Sequence, residues 1–108
     1  MAVKSILTIQ MDYGRAKRQA QELRDIANDL DHEAERLQNQ LAVIRNNWKG
    51  DSANLYIQKL TRLINKLRCT AKRLRAAADT IEVTAKRVKL ADERARAIAM
   101  SSGGGRHG

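Results

Sequence analysis

The chain has 108 residues, no proline, one cysteine, 3% aromatic residues and a formal net charge of +9. This length predicts one domain, and the abundance of Ala, Leu, Arg, Lys and Glu indicates an all-α fold with an aliphatic core. A single Cys excludes an intrachain disulfide. No stretch is apolar enough to span a bilayer, and the N-terminus lacks the apolar run of a signal peptide. We therefore expect neither membrane insertion nor export by the general secretory route.

The first segment, residues 1–12, alternates apolar and polar side chains, with Leu7, Ile9 and Met11 in phase. A period of two is typical of extended chain. A lone strand has nothing to pair with in a helical protein, so we expect an extended arm that lies along a partner. Asp12 is then the N-cap of the first helix.

Two long stretches follow, in which apolar residues recur at alternating steps of three and four, the mean spacing of coiled-coil helices. They predict helix one from about residue 13 to 47 and helix two from about 52 to 100, roughly 50 and 70 Å long. The first stripe is Tyr13, Ala16, Ala20, Leu23, Ala27, Leu30, Ala34, Leu37, Leu41, Ile44 and Trp48. The second is Ala53, Ile57, Leu60, Ile64, Leu67, Ala71, Leu74, Ala78, Ile81, Ala85 and Val88.

Residues 48–52 separate the two helices and contain the only tryptophan, Trp48, followed by Gly50. Gly50 can adopt a positive φ and end helix one, and Asp51 or Ser52 can cap helix two. We expect an antiparallel two-helix hairpin with the Trp48 indole covering its end, beside Ala53.

The charges support an antiparallel arrangement. Residues 22–35 carry six acids and one base, whereas residues 54–78 carry no acid. With a bend at Gly50, residue i faces roughly residue 100 − i, so the acidic segment should lie beside basic residues 65–78. Each exposed pair contributes only about 0.5 kcal/mol, but together the pairs favour one register over the alternatives.

Helix two carries a second apolar stripe, which makes its apolar face wider than one neighbouring helix requires. Because a two-helix hairpin buries little surface, we expect a second hairpin to complete a four-helix bundle dimer. The predicted dimer interface is Tyr56, Leu60, Leu63, Leu67, Leu74, Ile81 and Val88. Residues beyond about 88 should outrun helix one and serve recognition. The hairpin domain spans residues 1–100, and residues 101–108, with three consecutive glycines, should be a flexible tail.

Trp48-Lys49-Gly50 lies in mid-chain between two heptad helices. Over residues 1–100 this pattern resembles the WXG family, small helical hairpins exported by type VII secretion systems. The resemblance implies a homodimer or heterodimer that is exported folded. It also implies a Tyr-x-x-x-Asp/Glu export signal after the second helix of one chain. Val88 and Asp92 have that spacing but lack the aromatic residue, so a partner chain could supply the signal.

We therefore expect a non-enzymatic, secretion-associated protein that accompanies, chaperones or targets a co-exported toxin or second hairpin, with a cytoplasmic pool before export. The net charge favours an acidic hairpin as the partner. We expect no cofactor and no small-molecule substrate. His32 and His107 are too isolated for a metal site, Cys69 lies off both stripes, and no nucleophile–base pair is apparent.

Two other functions remain open from the sequence. The acid-free stretch 54–78 would also suit a basic helical protein that binds nucleic acid, although few aromatic residues are present to stack on bases. An amphipathic helix released from a dissociated dimer would suit binding to a membrane surface.

Overall fold

The computed structural model describes residues 6–106 of the chain and the side chains of residues 12–102. The described part forms two helices, α1 (Ile6–Asn47, 42 residues) and α2 (Asp51–Arg106, 56 residues), and no strand. The helices lie antiparallel along one another, which confirms the all-α hairpin predicted from the two stripes. The hairpin is 87 Å long and 20 by 15 Å across.

Both helices extend further than the sequence predicts. α1 begins at Ile6, so the predicted extended arm is wrong from residue 6 onward, and Asp12 lies inside the helix instead of capping it. α2 continues to Arg106, so residues 101–106 are helical where a flexible tail was predicted. Lengthening an existing helix requires no new nucleus, so weak local preferences at its ends are overridden. Residues 1–5 and 107–108 lie outside the described part.

The turn between the helices consists of Trp48, Lys49 and Gly50. Gly50 has a φ of 110°, as expected for a glycine that ends a helix. Its carbonyl accepts a 3.0 Å hydrogen bond from the Asn54 N–H. Gly50 therefore occupies the N-cap position predicted for Asp51 or Ser52. Asp51 lies in the first turn of α2, where its negative charge interacts favourably with the helix dipole.

The C-terminal end of α1 is closed by side chains. The Asn47 amide donates to the Val43 carbonyl at 2.8 Å, and the Lys49 ammonium donates to the Arg45 carbonyl at 2.9 Å. The last carbonyls of a helix have no partner within it, so the Lys49 bond satisfies a group that the helix leaves open, while the Asn47 amide adds a second donor to the Val43 carbonyl.

The core between the helices is a narrow seam of small residues. Ala20, Ala27 and Ala34 recur every seven residues on α1 and are fully buried, as are three alanines of α2, Ala53, Ala71 and Ala78. Small side chains at such positions allow two helix axes to approach closely. Larger residues fill the seam nearer the turn, where Ala34, Leu41, Leu60 and Ile64 form one buried cluster.

Among the described residues, three ion pairs join the two helices and show their register. Arg24 pairs with Asp79 at 2.7 Å and also with Glu82, and Arg75 pairs with Asp31 at 2.7 Å. The two residue numbers in each pair add to 103 or 106, not 100. In the described part of the chain, only the Arg75–Asp31 pair joins the acidic segment of α1 to the basic segment of α2. At this register the two segments still lie roughly beside one another, as predicted, but this pair is the one described ion pair between them.

Candidate functional site

The described residues form no obvious chemical centre. No group of three His, Cys, Asp or Glu residues in this part of the chain could hold a metal, and no polar or charged residue with a described side chain is buried. Among the described residues, neither helix has a span long and apolar enough to cross a membrane. The candidate site is therefore a surface of the hairpin.

One side of the hairpin is apolar along most of its length. Half-buried leucines recur every seven residues on each helix, and those near the turn pack against the buried cluster. Since the helices are antiparallel, the residues that flank the seam on one side of α1 lie beside those of α2. We call this the apolar face. It comprises Leu23, Leu30, Leu37 and Ile44 of α1 and Tyr56, Leu63, Leu67, Leu74, Ile81 and Val88 of α2.

The residues predicted for the dimer interface fall into three groups by exposure. Tyr56, Leu63 and Val88 are 48%, 46% and 60% exposed. Leu67, Leu74 and Ile81 are half-buried. Leu60 is only 7% exposed and belongs to the core between the two helices, where it is not free to meet a partner.

Val88 faces outward because the apolar stripe drifts around α2. A straight α-helix turns by about 20° per heptad relative to a seven-residue repeat, so a long stripe cannot stay against one straight neighbour. Past Ala85 the half-buried positions become Lys89, Asp92 and Arg96 instead of Val88. Sequence reasoning missed these three polar residues, and the signal that could have found them is this drift.

The predicted overhang of α2 is largely covered. The ammonium of Lys89 lies 4.6 Å from the ring centroid of Tyr13, a cation–π contact across the two helices. Because α1 begins at Ile6, the prediction that residues beyond about 88 lack an intrachain neighbour is wrong at this point. The residues proposed as an export signal lie here: Val88 is exposed, while Asp92 is half-buried and lines a shallow groove with Arg96.

Trp48 extends the apolar face to the turn. Its ring centroid lies 5.8 Å from that of Tyr56, with the ring planes tilted by 49°, and the residue is 44% exposed. The indole therefore packs against the first turns of α2, as expected for the end of the hairpin. A shallow groove of about 180 Å³, lined by Tyr56, Lys59, Leu60 and Leu63, continues from this pair.

The polar surface is unevenly charged. On α1, Arg36 bonds to Glu33 and lowers the pKa of that carboxyl, and on the far side of the hairpin the hydrogen bonds to Asp79 and Glu82 raise the pKa of Arg24. On α2, exposed bases remain without an acidic partner in the described part of the chain. They include Lys59, Arg62, Lys66 and Arg73.

A slender hairpin with one apolar side and no chemical centre in its described part is the architecture of a small helical-hairpin protein. The model of the WXG100 family, proteins of 100 residues with WXG, matches residues 8–93, and the chain belongs to this family. Members are small, non-enzymatic proteins that are exported by type VII secretion without a signal peptide and that typically pair with other hairpins of the same kind. No curated protein and no solved structure matches the chain significantly.

Proposed function

We propose that the protein is a non-enzymatic partner in type VII secretion that pairs with a second hairpin through the apolar face. In this role it accompanies, chaperones or targets a co-exported protein such as a toxin. The observation that supports this proposal is the apolar face itself, which is exposed at Tyr56, Leu63 and Val88 and borders a seam of alanines.

A hairpin with such a face is poorly stabilised alone. The radius of gyration is 24.4 Å, whereas a compact globule of this length would have roughly 13 Å. The chain therefore buries little of its own surface. Burial of apolar surface contributes about 25 cal/mol per Å², so covering the face with a second hairpin would add substantially to stability.

An acidic hairpin is the partner that the charges favour. The net charge is +9, and the bases of α2 beside the apolar face lack acidic neighbours in the described part of the chain. Two identical chains would repel each other at long range, whereas opposite charges speed association and select the partner.

Export of the pair would depend on both chains. Val88 and Asp92 keep the four-residue spacing of the family signal but lack its tyrosine. We propose that the partner supplies the complete signal and that this chain waits in the cytoplasm until the pair forms.

The test is the oligomeric state, measured by light scattering on the protein alone and after co-expression with hairpins encoded by adjacent genes. We expect a dimer or a stable heterodimer, and Leu63→Glu or Val88→Glu should reduce it to monomer. Gln58→Glu is the matched control, because it adds the same charge about 140° around α2 from Leu63. A well-folded lone monomer that ignores every such hairpin would contradict the proposal.

A second candidate function, nucleic-acid binding, is favoured by the unpaired bases of α2. A protein that neutralises several phosphates loses affinity steeply as salt rises. A gel shift with DNA and RNA at low salt, repeated across salt concentrations, tests this function. Absence of any shift at low salt would dismiss it.

A further inference from the structure

The second half of α2 has another apolar column, on the side opposite the apolar face. It consists of Ala76, Val83, Leu90 and Ala97, spaced seven residues apart and all exposed. Val83 and Leu90 come two residues after Ile81 and Val88, so they project about 200° away around the helix. They are 48% and 46% exposed. A second hairpin on the apolar face would leave this outer column uncovered.

Three arginines accompany the outer column. Arg73, Arg87 and Arg94 lie three or four residues from its members along one flank, where Thr80 takes the remaining place. The other flank is mixed in charge, with Asp79, Lys86 and Glu93. All three arginines are exposed and make no ion pair in the described part of the chain. The facing part of α1 adds to the positive potential, because residues 13–21 carry three bases and no acid.

The surface beside the outer column is grooved. A shallow groove of about 280 Å³ is lined by Asp79, Thr80, Val83, Thr84 and Arg87. Asp79, the only acid in this lining, is engaged by Arg24 at 2.7 Å. The groove therefore has Val83 at its centre, Arg87 at one edge, and at the other edge Asp79, which shares Arg24 with Glu82.

These features favour one class of occupant over two others. A membrane-surface helix needs a wide apolar face with large side chains, whereas this column has only valine and leucine between alanines. Phosphate groups of a nucleic acid would use the arginines but leave Val83 and Leu90 exposed. A helix whose apolar residues repeat every seven positions beside carboxylates matches both columns at once.

We propose that the outer column of α2 and its three arginines dock an acidic amphipathic helix of a partner protein. Apolar residues of that helix pack on Val83 and Leu90, and its carboxylates pair with Arg87 and Arg94. This deepens the proposed function, since the helix belongs to the accompanied protein. Docking does not require the apolar face, so one hairpin can hold its dimer partner and this helix on opposite sides of α2.

The probe is a synthetic amphipathic peptide with leucine every seven residues and a neighbouring column of glutamate. Cys69 is exposed, is the only cysteine, and lies seven residues before Ala76. A fluorophore attached to it therefore reports docking on the full chain. We expect saturable binding of the glutamate peptide, weakened about tenfold or more by Val83→Glu with Leu90→Glu. Arg87→Glu with Arg94→Glu should abolish that binding and create binding of a lysine version of the peptide.

The matched control is Ile81→Glu with Val88→Glu, two residues earlier on the opposite side. It should leave peptide affinity unchanged while weakening the hairpin dimer, so failure of one proposal is distinguishable from failure of the other. No binding up to the solubility limit of the peptide, or equal binding by all variants, overturns the docking proposal. Arginine-dependent binding of anionic vesicles or DNA without binding of the peptide also overturns it.

Discussion

Gly50 allows the chain to reverse direction between two long helices. Its φ of 110° lies in the left-handed half of conformational space, which side chains disfavour. A Cβ added to Gly50 would meet no atom within 4 Å. Any cost of a side chain at this position therefore comes from the backbone conformation and not from a clash.

We predict that Gly50→Ala destabilises the hairpin by about 1–2 kcal/mol, the cost of a left-handed conformation for a residue with a Cβ. Gly14→Ala is the control, because Gly14 lies within α1 and an added Cβ would make an ordinary 3.6 Å contact with the Arg18 side chain. It should stabilise by roughly 0.5–1 kcal/mol. Urea unfolding followed by circular dichroism at one fixed protein concentration measures both. Equal effects of the two substitutions would contradict this reading of the turn.

The pair of Glu33 and Arg36 predicts a small pH dependence. Arg36 lowers the pKa of Glu33, so the pair contributes stability fully above the ordinary carboxyl pKa and loses it as pH falls through the lowered value. The gap in urea midpoint between the wild type and Glu33→Gln should be widest near neutral pH and close in acid. High salt should narrow it, because both side chains are largely solvated. A difference in urea midpoint that widens in acid would contradict this prediction.

The place of a single residue could be predicted from the sequence where that residue type meets a local conformational need. Trp48 and Gly50 could be assigned to the turn because glycine alone relieves the backbone there. The contact between Lys89 and Tyr13 could not be predicted, because helix one was expected to begin at about Tyr13 and residues beyond about 88 to outrun it.

Fully buried alanines line the seam between the two helices. Ala20, Ala27 and Ala34 are fully buried at seven-residue spacing, and the leucines beside them are only half-buried. The closeness of the helices thus depends on small residues, and the larger apolar residues are left at the edge of the seam. This division of roles explains why a single hairpin retains so much exposed apolar surface.

Ala27→Leu should therefore be destabilising although leucine is apolar. Adding three carbons at a fully buried position between two close helices forces them apart, at a cost of about 1–3 kcal/mol. Ala42→Leu makes the same change at an exposed position of α1 and should be nearly neutral. Chemical unfolding of both variants measures the difference. A neutral Ala27→Leu would mean that the seam is loosely packed.

Periodicity predicted the two helices and their antiparallel pairing, because a 3.5-residue stripe specifies a helix with one apolar side. It failed at the helix ends, where Leu7, Ile9 and Met11 alternate over a stretch too short to distinguish extended chain from the flank of a helix. It also placed Leu60 both in the stripe that faces helix one and in the dimer interface, whereas Leu60 is 7% exposed within the core.

The whole molecule is a rod 87 Å long. No described polar or charged residue is buried, so nothing in the described interior specifies the fold except the seam and the ion pairs at its edge. A rod of this kind buries further surface most effectively along its flank, where the apolar face runs through most of its length.

Small-angle X-ray scattering should show whether two hairpins pair along their flanks. A pair joined along the apolar face would double the mass while keeping a maximum dimension near 87 Å. Pairing through the helix ends would roughly double the length instead, and that result would contradict flank-to-flank pairing. Leu63→Glu serves as the monomeric reference at the same protein concentration.

The narrow cross-section of the rod determines how wide a secretion pore must be to let it pass. One hairpin seen end-on measures 20 by 15 Å, so two laid flank to flank present an outline no wider than twice 20 Å. A bore of that size admits the pair lengthwise with every helical hydrogen bond intact. If such a pair were exported through that bore, it would need only to be oriented along the axis, and neither helix would have to unfold.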